Sequence, residues 1–188
     1  MVAGGSDIWV RLNQRARAES PDMVDGPVAY QEPLTDADLD AVAEGLATEL
    51  PPAVRRLWGQ VANGGFGPGY GILGLQGGFR SDLGDDAVSD YRARRLPPGP
   101  DEPAWKWPKG LLPICDWGCA IYSCVDLGSD TADVYRFDPN AVADDWNVAW
   151  FMESRDLESW LRGWLDGEDL WMAPGIVPAP DDFLDARS

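Results

Sequence analysis

The 188-residue sequence contains no histidine, only three cysteines, and 15 basic side chains against 32 acidic ones. Without histidine, neither a Ser-His nor a Cys-His nucleophile pair can be assembled. Cys115, Cys119 and Cys124 are odd in number, and their C-x3-C-x4-C spacing is not that of a zinc knuckle, which needs four ligands. They read as small core hydrophobes in a reduced, cytoplasmic setting. No metal or cofactor is expected. No apolar run approaches the roughly 20 residues that cross a bilayer, and the first residues lack the apolar centre of a secretory signal. A Walker-type glycine loop with its lysine is missing, and no internal repeat is visible.

What is present suits one domain with peripheral tails. Hydrophobic residues make up 45% and there are ten tryptophans, enough for a core that buries roughly two-thirds of the unfolded surface. The net charge of -17 is unevenly spread. Residues 1–110 hold 16 acidic and 11 basic side chains, a balance of -5; residues 111–188 hold 16 and 4, a balance of -12. Such a field repels nucleic acid and anionic membranes and draws in basic partners. It also serves solubility alone, and both readings stay open at this stage.

The chain order carries clear local signals. Thr35 and Asp38 form a capping-box pattern, followed by Leu39, Val42, Ala43 and Leu46 at helical spacing. Pro51-Pro52 ends that helix and starts a second, whose stripe is Val54, Leu57, Trp58 and Val61 and whose stop is Asn63-Gly64-Gly65. Tyr70–Leu75 reads as a strand among glycines, and Asp85–Arg95 as a helix before a proline-rich loop. Leu111–Cys115, Cys119–Leu127 and Asp133–Phe137 read as an antiparallel meander, with a turn at Asp116-Trp117-Gly118 and Trp146–Phe151 as a fourth member. Ser154 is placed as the cap of a last helix with Leu157, Trp160, Leu161, Trp164 and Leu165 on one face. The segment after Trp171 reads as irregular.

This order of motifs resembles the SUKH superfamily, bacterial immunity proteins related to fungal regulators of cell-wall assembly. The resemblance runs over about residues 34–166. Its most specific pieces are the Glu49-Leu50-Pro51 corner with Asn63-Gly64-Gly65 and the Leu112-Pro113-Ile114-Cys115-Asp116-Trp117-Gly118 entry to the central hairpin. It implies an α/β (α+β) fold with a mainly antiparallel central sheet flanked by helices. The expected organisation is an N-terminal extension at 1–33, the SUKH-like domain at 34–171 and a Pro/Asp-rich tail at 172–188. The passage 76–110 is longer and less regular than the family pattern.

The resemblance also implies a non-catalytic immunity protein that neutralises a cognate toxin domain by binding it. An acidic partner suits a basic nuclease, because charge complementarity raises the association rate. The alternatives are a regulatory adaptor of the same fold and a carbohydrate-binding or hydrolytic module. For the last, Asp85/Asp86 and Asp144/Asp145 are carboxylate pairs of the type glycoside chemistry uses, although adjacent acids arise by chance among 32. The expected contact residues are Asp85, Asp86, Trp105, Trp107, Asp116 and Trp117. Trp105 and Trp107 cannot both point inward from an extended Trp-Lys-Trp segment, and exposed aromatics are typical interface anchors. The alternative for Trp107 is a ring folded over the core edge, and for Trp117 a structural role at the hairpin.

Overall fold

A computed structural model describes residues 7–97, 99, 106–142, 145–172, 176–180 and 182–187. Among the described residues, five α-helices and a five-stranded antiparallel sheet in the order β1-β2-β3-β4-β5 form an α+β arrangement. The helices are α1 (Ile8–Ala18), α2 (Asp36–Leu46), α3 (Pro52–Arg56), α4 (Ala87–Arg94) and α5 (Leu157–Leu165). The strands are β1 (Leu111–Gly118), β2 (Ile121–Asp126), β3 (Val134–Phe137), β4 (Trp150–Ser154) and β5 (Val177–Pro178).

The capping box of α2 forms as the sequence predicts: the Thr35 hydroxyl accepts from the Asp38 N–H, and the Asp38 carboxylate accepts from the Thr35 N–H. Pro52 opens α3, which widens into a π-helical turn over Leu57–Val61. Asn63 then acts as a hub. Its amide donates to the Gln76 carbonyl, and its side-chain oxygen accepts from the Leu75 N–H at 2.8 Å. Gly64 follows at φ +82°, where a Cβ would lie 2.5 Å from the Gly74 nitrogen. Only glycine fits both the backbone angle and the closeness.

All six residues of β2 and all four of β3 are buried, so both faces of the sheet are covered. On one face Leu112, Ile114, Val125 and Val134 join a cluster with the apolar stripes of α1, α2, α3 and α5. The other face carries a layer rich in aromatic rings: Trp107, Tyr122, Tyr135, Phe137, Trp150 and Phe183. Trp107 meets Phe137 and Trp150 edge-on at 4.9 and 5.1 Å, a favoured geometry for rings that each bury about 150–250 Å².

Several expectations change here. Tyr70–Leu75 is not a strand; its one ladder contact is a bridge from Ile72 to Cys115, because Gly71, at φ +108°, breaks the extended run. Asp116, Trp117 and Gly118 belong to β1, and the turn falls at Gly118, Cys119 and Ala120, all at positive φ. This leaves Cys119 exposed, while Cys115 and Cys124 are buried core thiols. The fourth strand starts at Trp150, after a 3-10 turn at Trp146–Ala149. The cap of α5 is Asp156, which accepts from the Ser159 N–H; the Ser154 hydroxyl instead donates to the Asp156 carbonyl. The first 33 residues supply a core helix, with Ile8, Trp9, Leu12 and Ala16 buried. The final segment, expected to be irregular, adds β5 and buries Phe183.

Candidate partner-binding site

The residues expected at a contact surface fall into distinct environments. Asp86 is not on a solvated loop: it is 6% exposed and caps α4. One of its oxygens accepts from the N–H and hydroxyl of Ser89, at 2.8 and 2.7 Å, and the other from the Gly77 N–H at 2.7 Å. Its acceptor capacity is committed to structure. Trp107 is 2% exposed and donates its indole N–H to the Leu111 carbonyl at 2.7 Å. It is a core ring and not a surface anchor, because the chain turns it onto the aromatic face. Trp105 lies outside the described residues, as does Asp144 of the second carboxylate pair. Trp117 is 8% exposed and donates to the Ser123 hydroxyl at 2.8 Å, which is the structural role its place at the hairpin allowed.

Asp85 and Asp116 share a neighbour in Asp90, and a further acid, Asp82, acts on Asp116. The loop at 63–79 is stitched to β1 by Tyr70 N–H to Asp116 carbonyl (2.8 Å) and Leu73 N–H to Ile114 carbonyl (2.8 Å). It is stitched to α4 by Ala87 N–H to Gly74 carbonyl, also at 2.8 Å. These bonds hold the start of α4 beside the end of β1. Asp90, one turn into α4, feels the charges of both Asp85 and Asp116, and Asp116 feels that of Asp82. The cation at this cluster is Arg94, whose Nε donates to both Asp90 oxygens at 2.9 Å. Its guanidinium lies 4.6 Å from the Trp107 ring and 4.4 Å from that of Tyr122.

The electrostatic consequence is visible in the acids themselves. Burial pushes the Asp116 carboxyl above the ordinary range and Asp82 adds to it, against the Gly118 N–H and Arg94. Asp90 is likewise raised, first by burial and then by Asp85 and Asp116, with Arg94 opposing. Burial, followed by the Asp116 charge, pushes the Tyr122 hydroxyl up to about 12. Asp90 and Asp116 are the desolvated carboxylates here, and Arg94 supplies the positive charge that Asp90 holds. Between Asp82 and Asp85, Leu83 is 80% exposed at the tip of a turn closed by Gly84 N–H to Ser81 carbonyl.

Sequence reasoning missed Asp82, Leu83, Asp90 and Arg94. The available signal was the Asp90–Arg94 spacing of four residues on a predicted helix, which pairs side chains on one face. Among the described residues, no group of three or more cysteine, aspartate or glutamate side chains could hold a metal ion. No described helix is long and apolar enough to cross a membrane. A polar groove of about 540 Å³ opens elsewhere, lined among others by Thr48, Tyr91, Lys109, Asp126 and Arg187, and includes none of the predicted contact residues.

An antiparallel meander with a two-helix corner on one face and aromatic rings on the other, with several carboxylates near its edge, defines a small α+β scaffold. The chain belongs to the SMI1 / KNR4 family (SUKH-1), whose family model matches residues 33–163. Helix α1 and strand β5 lie outside the matched span. A comparison with curated proteins gave no match. Family membership is consistent with an immunity-type protein.

Proposed function

We propose that this chain is a non-catalytic immunity protein of the cytoplasm that neutralises a cognate bacterial toxin by forming a complex with it. The observation that supports the reading is the group of acids around the end of β1 and the start of α4, in which exposed Asp82 and half-buried Asp85 and Asp116 offer negative charge to a basic surface. A nuclease cleft is such a surface, because it is built to hold phosphates. In this reading Asp85 and Asp116 contact the partner directly and Leu83 packs beside them. Asp86 caps the helix that presents them, while Trp117 and Trp107 support the sheet beneath. The acidic balance of residues 111–188 steers the encounter from a distance.

The test is protection and binding. Cells expressing the toxin encoded by the neighbouring reading frame are expected to survive only when this chain is co-expressed. The association rate between the purified proteins is expected to fall steeply with salt. Asp85→Asn with Asp116→Asn should slow association several-fold at low ionic strength and leave it nearly unchanged at high ionic strength. Cells that fare no better with the protein than without it would end the immunity reading; a salt-independent rate would end the electrostatic one.

A further inference from the structure

Beyond α5 the chain turns two neighbouring apolar side chains to solvent: Trp171 is 42% exposed and Met172 72%. Their backbone is tied down. Asp169 Oδ1 accepts from the N–H groups of both, at 3.1 and 3.3 Å. From β3, Arg136 donates to the carbonyls of Leu170 and Trp171, at 2.8 and 3.0 Å. Arg136 is itself an interior residue, ion-paired to Glu153 on β4, with the two side chains 8% and 3% exposed. The second Glu153 oxygen accepts from Ser123 at 2.6 Å, and the Ser123 hydroxyl accepts from the Trp117 indole. The Trp171 ring rests 5.7 Å from that of Trp117, and the Arg136 guanidinium lies 5.1 Å from the first and 5.4 Å from the second.

A buried ion pair adds little stability over an apolar substitute of the same shape. What this one does is fix geometry: a chain of four side chains, one from each of β1 to β4, ends on the two carbonyls that position Trp171. A tryptophan presented at the surface on an ordered backbone has the properties of a binding anchor. It offers a large apolar area, and the loop entropy that docking would otherwise remove is already lost. The rim is acidic, with Asp166, Glu168 and Asp169 all exposed. Arg11 pairs with Asp166 at 2.7 Å; among the described residues no ion pair engages Glu168 or Asp169.

We infer that Trp171 and Met172 are an anchor that inserts into an apolar pocket of a basic protein partner, with Glu168 and Asp169 facing the cations around that pocket. The inference rests on the protein-binding reading above and places a second, apolar contact beside Trp117, the buried ring under the anchor. The full-length chain is titrated with the toxin domain from the neighbouring reading frame. Trp171→Ala should weaken binding roughly 30-fold, as a tryptophan hot spot does, and Trp171→Phe by only about threefold. Glu168→Gln should slow association about twofold at low salt and hardly at all at high salt.

Because Trp171→Ala also removes a ring contact, Met172→Ser and the Trp171 indole N–H resonance serve as independent readouts. That resonance should shift on saturation with the toxin domain. Binding of Trp171→Ala and Met172→Ser within twofold of wild type, or an unmoved indole resonance, overturns the anchor and leaves the protein-binding reading standing. A wild-type chain that does not bind the toxin domain overturns both.

Discussion

Replacing Arg136 by methionine keeps much of the side-chain volume and removes the counter-charge of Glu153. Glu153 then sits 3% exposed with no cation beside it, and the least costly response is to take up a proton. Its carboxyl is already raised by burial despite Arg136 and Ser123, from an ordinary value of 4.5. Holding a proton at pH 7 against an unfolded value near 4.5 costs up to about 3 kcal/mol, at about 1.4 kcal/mol per pH unit. The carbonyls of Leu170 and Trp171 also lose their donor, which adds about 1–3 kcal/mol. Together these put the loss at pH 7 near 3–5 kcal/mol, the range found when one member of a buried pair is removed.

The sign of the pH dependence distinguishes this account from simple loss of packing. A carboxyl with a raised folded pKa contributes stability below its unfolded value and loses it as pH rises toward the folded one. Urea unfolding of Arg136→Met should therefore show a deficit about 2 kcal/mol smaller at pH 5 than at pH 7. In Arg136→Met with Glu153→Gln, that difference should vanish. A deficit that is the same at both pH values, or a double variant that keeps the dependence, would refute the reasoning.

Wild-type stability should rise as pH is lowered into the carboxylate range, because the Asp90, Asp116 and Glu153 carboxyls are all raised above their ordinary values in the folded chain. It should fall between pH 10 and about 12 as Tyr122 ionises in the unfolded chain first; thermal melts across this range check both limbs. Gly64→Ala should cost about 3 kcal/mol or more, since its Cβ meets backbone at 2.5 Å, whereas Gly26→Ala, at φ +89° with open space around it, should cost only about 1 kcal/mol. Equilibrium unfolding of the two variants compares strain plus collision with strain alone.

Much of the fold was legible because its signals are local. The Thr35–Asp38 box, the Pro51-Pro52 corner and the stripe of α5 each specify an element within a few residues. The outer boundaries were not. Ile8, Trp9 and Leu12 show a helix's spacing, but only their partners in α5 and the π-helical turn make that helix part of the core. The turn of the central hairpin lies two residues later than expected because Cys119 and Ala120, after Gly118, adopt positive φ that their residue types do not announce. The site was partly legible for the same reason. Asp85 and Asp116 were picked out for charge, yet their sharing of Asp90 depends on loop-to-strand bonds 40 or more residues apart in sequence. Trp107, expected as a contact residue beside a proline-rich loop, is interior, and the exposure of Trp171 had no local signal.

The lacing of α1 to α5 sets the order in which the molecule can be completed. Arg11 reaches the Leu165 carbonyl and the Asp166 carboxylate, and the Trp164 indole donates to Asp22, contacts that span 142 to 155 residues. On a ribosome the first helix can dock early on the π-helical turn at Leu57–Val61, but its contacts with α5 wait until residues near 165 have emerged. Closures of this range are slow because chain entropy opposes them. The α1–α5 contacts thus close the last and longest loop of the fold.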